Sequence, residues 1–258
     1  MSDILDKLAK DAQQTIYSGY YTTKSKREKD PFSLVEFIKN CSYNAVITEI
    51  KTASPSVGHI VEKIDVKNVA REMMNSGATG ISVLTEPKNF NGNIEFLEKV
   101  RKAVDVPILM KDFILSPIQL RVAKKNGADV VLLIKTLFDR GYCECSLDEM
   151  VRNAHLRGLE VLLETHTTEE FNESMETEAD LIGINNRDLK TLNVDLETTN
   201  RILKQAKMTT KPVVSESGIR SAKDITKLKL HGVDAFLVGT ALMKSGNLGK
   251  AIKELVHG

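Results

Sequence analysis

Gly127-Ala128-Asp129-Val130-Val131-Leu132-Leu133-Ile134 is the stretch that decides the fold. The glycine suits a helix C-terminus, and the five apolar residues that follow read as a strand buried on both faces. The pattern recurs. Gly77-Ala78-Thr79-Gly80 precedes Ile81-Ser82-Val83-Leu84, and Gly158-Leu159-Glu160 precedes Val161-Leu162-Leu163. Glu178-Ala179-Asp180 precedes Leu181-Ile182-Gly183-Ile184, and Gly232-Val233-Asp234 precedes Ala235-Phe236-Leu237-Val238. Apolar stretches at 46–51, 106–111 and 212–215 bring the expected strands to eight.

Between these strands, apolar residues recur at helical spacing over 66–74, 94–104, 117–125, 147–156, 169–175, 196–207, 222–230 and 248–256. Eight strands alternating with helices over about 250 residues predict a (β/α)₈ barrel. An open doubly wound sheet is the rival. It usually has fewer strands, and no Gly-x-Gly-x-x-Gly turn follows the first strand. Residues 1–45 precede that strand and contain two helical patterns, Ile4 to Tyr17 and Phe32 to Lys39. The chain therefore reads as one barrel domain, 1–258, with an N-terminal helical extension.

The bulk numbers narrow the function. The 258 residues are 41% apolar, and 36 basic side chains nearly cancel 35 acidic ones. Neither a nucleic-acid nor a membrane partner is implied. The basic run Lys24-Ser25-Lys26-Arg27-Glu28-Lys29 is short and lacks aromatics, as a solvated linker would. No apolar run is long enough to span a bilayer, and the charged N-terminus carries no signal core. Three cysteines (Cys41, Cys143, Cys145) suit a reducing compartment better than a disulfide framework. A cytoplasmic protein without a metal site is expected.

Barrels carry their chemistry at the C-terminal ends of the strands. Strand one ends in Glu49-Ile50-Lys51, two charges on one face of an otherwise apolar strand. The others end in Thr85-Glu86, Lys111-Asp112, Lys135-Thr136, Glu164, Asn185-Asn186-Arg187, Ser215-Glu216-Ser217-Gly218 and Gly239-Thr240. Ionisable or amide groups at nearly every end of one rim mark a site. The last two ends, Ser217-Gly218-Ile219 and Gly239-Thr240-Ala241, are small enough for backbone N–H groups to approach a phosphate. As plain βα turns they would need glycine anyway; the adjacent pair is what favours an anion. Lys51 and Lys111 can donate protons, Glu164 can accept one, and Asn185 can orient a substrate. A lysine could instead form a Schiff base if its pKa were lowered. Of five histidines only His166 lies near the rim, where a loop position is expected.

The segments EIKTASPS, ISVLTEPKNFNG, MKDFI, LLET, IGINNRDLKTL, SESGI and FLVGTALM, in this order, resemble indole-3-glycerol phosphate synthase. The resemblance implies that residues 1–45 lie over the catalytic mouth. It implies ring closure, decarboxylation and dehydration of 1-(2-carboxyphenylamino)-1-deoxyribulose 5-phosphate, in tryptophan biosynthesis and without a cofactor. A small phosphorylated substrate is the only partner implied, and a monomer is expected.

Carried over by position, Lys111 resembles the general acid and Glu164 its acid–base partner. Lys51 resembles the lysine that holds the anionic substrate, with Glu49 keeping both lysines charged and placed. Asn185 and Ser217 match polar groups on the reacting part, and Arg187 and Glu216 the network around it. Gly218, Gly239 and Thr240 match the phosphate cradle, Phe90 and Leu132 the walls for the aromatic ring. Ser54 is expected to contact substrate. Thr52, Met110 and Lys135 depart from the family's usual residues, and Lys135 is expected to extend from the rim into solvent. Two rivals are another phosphate-binding barrel, such as phosphoribosylanthranilate isomerase, and a non-catalytic barrel scaffold. The isomerase would be expected to use a cysteine and an aspartate at strand ends, and the scaffold to have lost Lys111 or Glu164.

Overall fold

The computed structural model describes residues 3–27, 29–54, 58–59 and 64–258. Eight parallel strands close into a barrel: β1 Ala45–Ile50, β2 Gly80–Leu84, β3 Ile108–Lys111, β4 Val130–Ile134, β5 Glu160–Thr165, β6 Leu181–Asn185, β7 Val213–Glu216 and β8 Ala235–Val238. Each pairs with its neighbours in sequence, and β1 closes the ring against β8 through Ala45↔Ala235 to Thr48↔Val238. The eight expected strands are all present. The expected helices are too, several capped by their own sequence: Ser116 and Gln119 form a reciprocal capping box on Pro117–Lys125, as Ser146 and Glu149 do on Leu147–His155. Two short helices, Lys135–Asp139 and Thr240–Met243, and a two-residue hairpin pairing Ala53 with His59 lie beyond what periodicity shows. Elements this short have no period to read.

The alternation of side chains along each strand builds two apolar layers. Outward residues such as Val46, Ile81, Ile108, Val131, Leu163 and Phe236 pack under the surrounding helices. Inward residues such as Ile47, Leu109, Leu132, Leu162, Val214 and Leu237 fill the barrel. Two residues further along, the inward positions change character: Ile47 is followed by Glu49, Leu109 by Lys111, Leu162 by Glu164, Val214 by Glu216. A dry apolar plug therefore supports a charged layer at the C-terminal rim.

The N-terminal extension reaches both ends of the barrel. Its first helix, Ile4–Tyr17, brings Leu8 to the mouth beside Phe90 and Phe113. Arg140, after β4, holds that helix by ion pairs to Asp3 and Asp6 at 2.8 and 2.7 Å. A strap then descends the side. Tyr20 donates to the Thr85 carbonyl, the buried Tyr21 donates to Asp112 at 2.9 Å, and Arg27 pairs with Asp129 just before β4. The second helix, Leu34–Lys39, sits at the opposite end. Its first N–H groups, from Leu34 and Val35, donate to Glu160 at the start of β5. Among the described residues, no helix is long and apolar enough to cross a membrane.

Candidate active site

The charged layer converges on Lys111. Its Nζ lies 2.6 Å from Glu216 Oε2 and 3.3 Å from Glu164 Oε2. All three side chains are largely withdrawn from water, at 17%, 1% and 3% exposure. Burial alone would lower the Lys111 pKa, but Glu216, Glu164 and Glu49 outweigh it and hold the ammonium above the ordinary lysine range. A Schiff-base lysine needs the opposite shift. Burial opposes ionisation of Glu164 as well, yet Lys111, His166 and Asn185 hold its carboxyl well below the usual range. Burial beside Glu164 and Glu49, only partly offset by Lys111, pushes Glu216 up to about 7. The cluster thus combines an ammonium, a carboxylate of lowered proton affinity and a carboxyl whose proton affinity burial has raised.

Neighbouring strands place the remaining groups. Lys51, one residue past β1, pairs with Glu49 Oε1 at 3.1 Å and lies 5.8 Å from the centre of the Phe90 ring. Asn185 donates to Glu164 Oε1 at 3.0 Å and accepts from the Arg187 backbone N–H. Ser217 has φ +67 and Gly218 φ +88, so two successive residues adopt the left-handed conformation. For serine that conformation is strained, the sort of backbone that functional sites store.

Two cavities adjoin across this layer. One, of about 100 Å³, is mainly apolar, lined by Leu8, Phe90, Phe113, Leu132 and Leu189 with Glu164 and Asn185 at its floor. The other, of about 550 Å³, is lined by Glu49, Glu216, Gly218, Arg220, Gly239, Thr240 and Lys244. Lys51, Lys111, Arg187 and Ser217 line both. A ligand with an apolar ring at one end and an anion at the other would have its middle held between these four residues. A wider surface cavity of about 590 Å³, beside the strap, mixes Lys99 and Lys102 with Glu95 and Glu98, which pair with them.

The structure brings Glu49, Lys51, Lys111, Glu164, Asn185, Ser217, Phe90, Leu132, Arg187, Glu216, Gly218, Gly239 and Thr240 together in these cavities. The Ser54 side chain lies outside the described residues, as do residues 55–57 and 60–63 of the loop that follows. One expectation fails. Lys135 does not extend into solvent: it is buried, bound to Asp139 at 2.5 Å and Glu173 at 2.7 Å. The short helix after β4 turns it back against those carboxylates. His166 lies in the loop after β5, as expected, but its ring is withdrawn from solvent and packs between Glu164 and Glu170.

Sequence reasoning also missed how the walls are held. Glu86 accepts the backbone N–H groups of Lys88, Asn89 and Phe90, which fixes the turn that carries Phe90. Asp112 faces the apolar cavity and accepts from Tyr21, Thr85 and the Phe113 N–H. Burial pushes its carboxyl up to about 7 against those hydrogen bonds. A buried acid beside Lys111 in the sequence was the available signal for Asp112.

Fold and site define a (β/α)₈ barrel with an acid–base cluster at its C-terminal rim. The family model for indole-3-glycerol phosphate synthase matches residues 4–255, and the chain belongs to that family. It is 43% identical over 216 residues to the indole-3-glycerol phosphate synthase of Methanopyrus kandleri, covering 83% of each chain. It is 36% identical over 257 residues to that of Staphylococcus aureus, covering 98% of this chain and 96% of the relative. Among solved structures, the thiamine phosphate pyrophosphorylase of Pyrococcus furiosus superposes with a TM-score of 0.60 at 22% identity, over 82% of this chain and 93% of that one. At that identity the likeness concerns the fold alone.

Proposed function

We propose that this chain acts as an indole-3-glycerol phosphate synthase, a decarboxylating lyase of tryptophan biosynthesis, on 1-(2-carboxyphenylamino)-1-deoxyribulose 5-phosphate. The observation that carries the reading is the position of Lys111, an ammonium donor between two carboxylates where an apolar and a polar cavity meet. The substrate has the matching shape: an aromatic ring, a reacting ketose carbon and a terminal phosphate. The ring fits among Phe90, Phe113, Leu132 and Leu8. The phosphate fits at Ser217-Gly218 and Gly239-Thr240, with Arg220 and Lys244 on the same wall.

In the first step the ring carbon that bears the carboxylate attacks the ketone carbon. The carbonyl π electrons move to oxygen, and Lys111 donates a proton there, giving a hydroxyl. Loss of carbon dioxide returns the electron pair of the broken bond to the ring. The hydroxyl then leaves as water, taking its second proton from Lys51, while Glu164 takes a proton from the ring carbon next to the nitrogen of the closed five-membered ring. Lys51 holds the anionic substrate beside Phe90, and Asn185 keeps Glu164 turned toward the reacting atoms. Apolar walls strengthen each of these electrostatic contacts by excluding water.

Incubating the purified protein with the carboxyphenylamino-deoxyribulose phosphate and following indole fluorescence tests the reading. A folded sample that forms no indole product overturns it. The isomerase reading is disfavoured because lysine and glutamate occupy the reacting strand ends, and the Cys143 thiol bonds to the Ile114 carbonyl instead. The scaffold reading is disfavoured by the intact Lys111–Glu164 pair.

A further inference from the structure

Glu164 is one link in a chain of groups that continues outward from the mouth. Its Oε1 accepts from Asn185 at 3.0 Å and has His166 Nε2 at 3.3 Å. The other ring nitrogen, Nδ1, lies 3.6 Å from Glu170 Oε2. Glu170 is itself fixed in the first turn of the helix Thr168–Met175. It accepts from the Thr136 hydroxyl and from the His166 backbone N–H, each at 2.7 Å. The imidazole, 12% exposed, is therefore wedged between one carboxylate at the reacting layer and one that is anchored behind it.

An imidazole in that position has little reason to be there as apolar filling. A buried ring nitrogen without a partner is costly, and neither nitrogen of His166 makes an aligned hydrogen bond inside the fold. Catalytic hydrogen bonds commonly tighten only when substrate binds. The charged groups facing the ring are Glu164 from β5 and Glu170 from the next helix. Lys111 lies on the far side of Glu164, and Lys135 is committed to Asp139 and Glu173. Burial would lower the pKa of His166, but the two carboxylates prevail and push it up to about 9. The ring is then an imidazolium at neutral pH.

We propose that His166 is a positioning residue for the reaction: anchored by Glu170, it holds the Glu164 carboxylate in the orientation that faces Lys111 and the substrate. It does not itself touch the reacting atoms. It sets where Glu164 points and keeps it ionised, and so available to take a proton. The proposal rests on the synthase reading given above.

Steady-state kinetics of the wild type, His166→Gln and Glu170→Gln across pH test it. Glutamine keeps an N–H near Glu164 but carries no charge. His166→Gln lowers kcat about ten- to hundredfold, the scale of a misplaced reacting group, with KM within about threefold. In the wild type an alkaline limb lies near pH 9; His166→Gln moves it upward. Glu170→Gln moves it downward, because the imidazolium loses one of its two stabilising anions. A purely structural role would not move these limbs in opposite directions. Wild-type kcat and pH profile in folded variants overturn the proposal, as does a loss confined to KM. If His166→Gln does not fold, Glu170→Gln decides alone. Failure of the wild type to turn over overturns both readings; turnover with an unchanged variant overturns only this one.

Discussion

Gly183 leaves the space that Glu216 fills. A Cβ built on Gly183 would collide with Glu216 Oε1, the side chain whose other oxygen holds Lys111. Gly183 is the inward residue of β6 one pleat below Asn185, and β6 pairs with β7 through Asn185↔Glu216. Gly239 plays the same part for Glu49, with Oε1 2.5 Å from the position of an added Cβ. Neither glycine has a positive φ. Their lack of a side chain makes room for the carboxylates. Gly183→Ala is expected to displace Glu216, weaken its bond to Lys111 and lower kcat/KM about ten- to hundredfold. The barrel should survive, since overpacking of this size costs about 1–3 kcal/mol. Kinetics beside circular dichroism check this; an active Gly183→Ala protein would show that Glu216 does not need its present place.

Lys111→Met removes the ammonium and keeps a side chain of similar length. General acid catalysis contributes about 10²–10⁴-fold, so kcat should fall by that much. Substrate affinity should change little, because the ring and the phosphate bind at either side of Lys111. A fluorescence titration with substrate, beside a turnover assay, separates the two effects. Turnover at the wild-type rate would remove Lys111 from the role of acid.

The rim cluster was legible in the sequence for a specific reason. Period-two alternation means that an apolar residue two places before a charge fixes which way the charge points. Ile47 before Glu49, Leu109 before Lys111 and Leu162 before Glu164 therefore already described an inward charged layer. What His166 and Lys135 pack against was not legible, because each lies where a strand gives way to a turn or short helix and alternation no longer applies. Their partners, Glu170, Asp139 and Glu173, are set by how the next helix docks. The descent of the N-terminal segment to the bottom of the barrel escaped for a similar reason. It depends on pairings such as Arg27 with Asp129 and Ser33 with Glu160, about a hundred residues or more apart.

Tyr21→Phe tests the strap. The Tyr21 hydroxyl donates to Asp112 Oδ2, which also accepts from Thr85 at 2.5 Å. Removing it deprives a fully buried carboxylate of one of three donors, an effect of about 1–3 kcal/mol. The variant should melt several degrees lower. It should also raise the proton affinity of Asp112, so the loss should be greatest at alkaline pH, where the carboxylate is ionised, and shrink as pH falls through about 7. Thermal unfolding between pH 5.5 and 9 measures both. An equal loss at every pH would mean that the hydroxyl packs without stabilising the charge.

The clamp on the first helix gives a pH dependence of the same sign in a more acidic window. Asp6 is lowered to about 2, first by the hydrogen bond from Arg140, then by the Asp3 backbone N–H and the Tyr142 hydroxyl. Arg140 lowers Asp3 as well. A carboxyl with a depressed folded pKa contributes stability above its unfolded value near 3.8, and that contribution disappears as pH falls toward 2. The pair is accessible to solvent, so salt should weaken it too. Since the helix carries Leu8 to the mouth, its release should open the apolar cavity before the barrel unfolds. Hydrogen exchange of the Ile4–Tyr17 amides should therefore quicken between pH 4 and pH 2, ahead of amides in β4 and β5. In Arg140→Gln the same amides should exchange quickly already at pH 5, and the step between pH 4 and pH 2 should flatten. An unchanged step in Arg140→Gln would show that the helix is held by its apolar face alone.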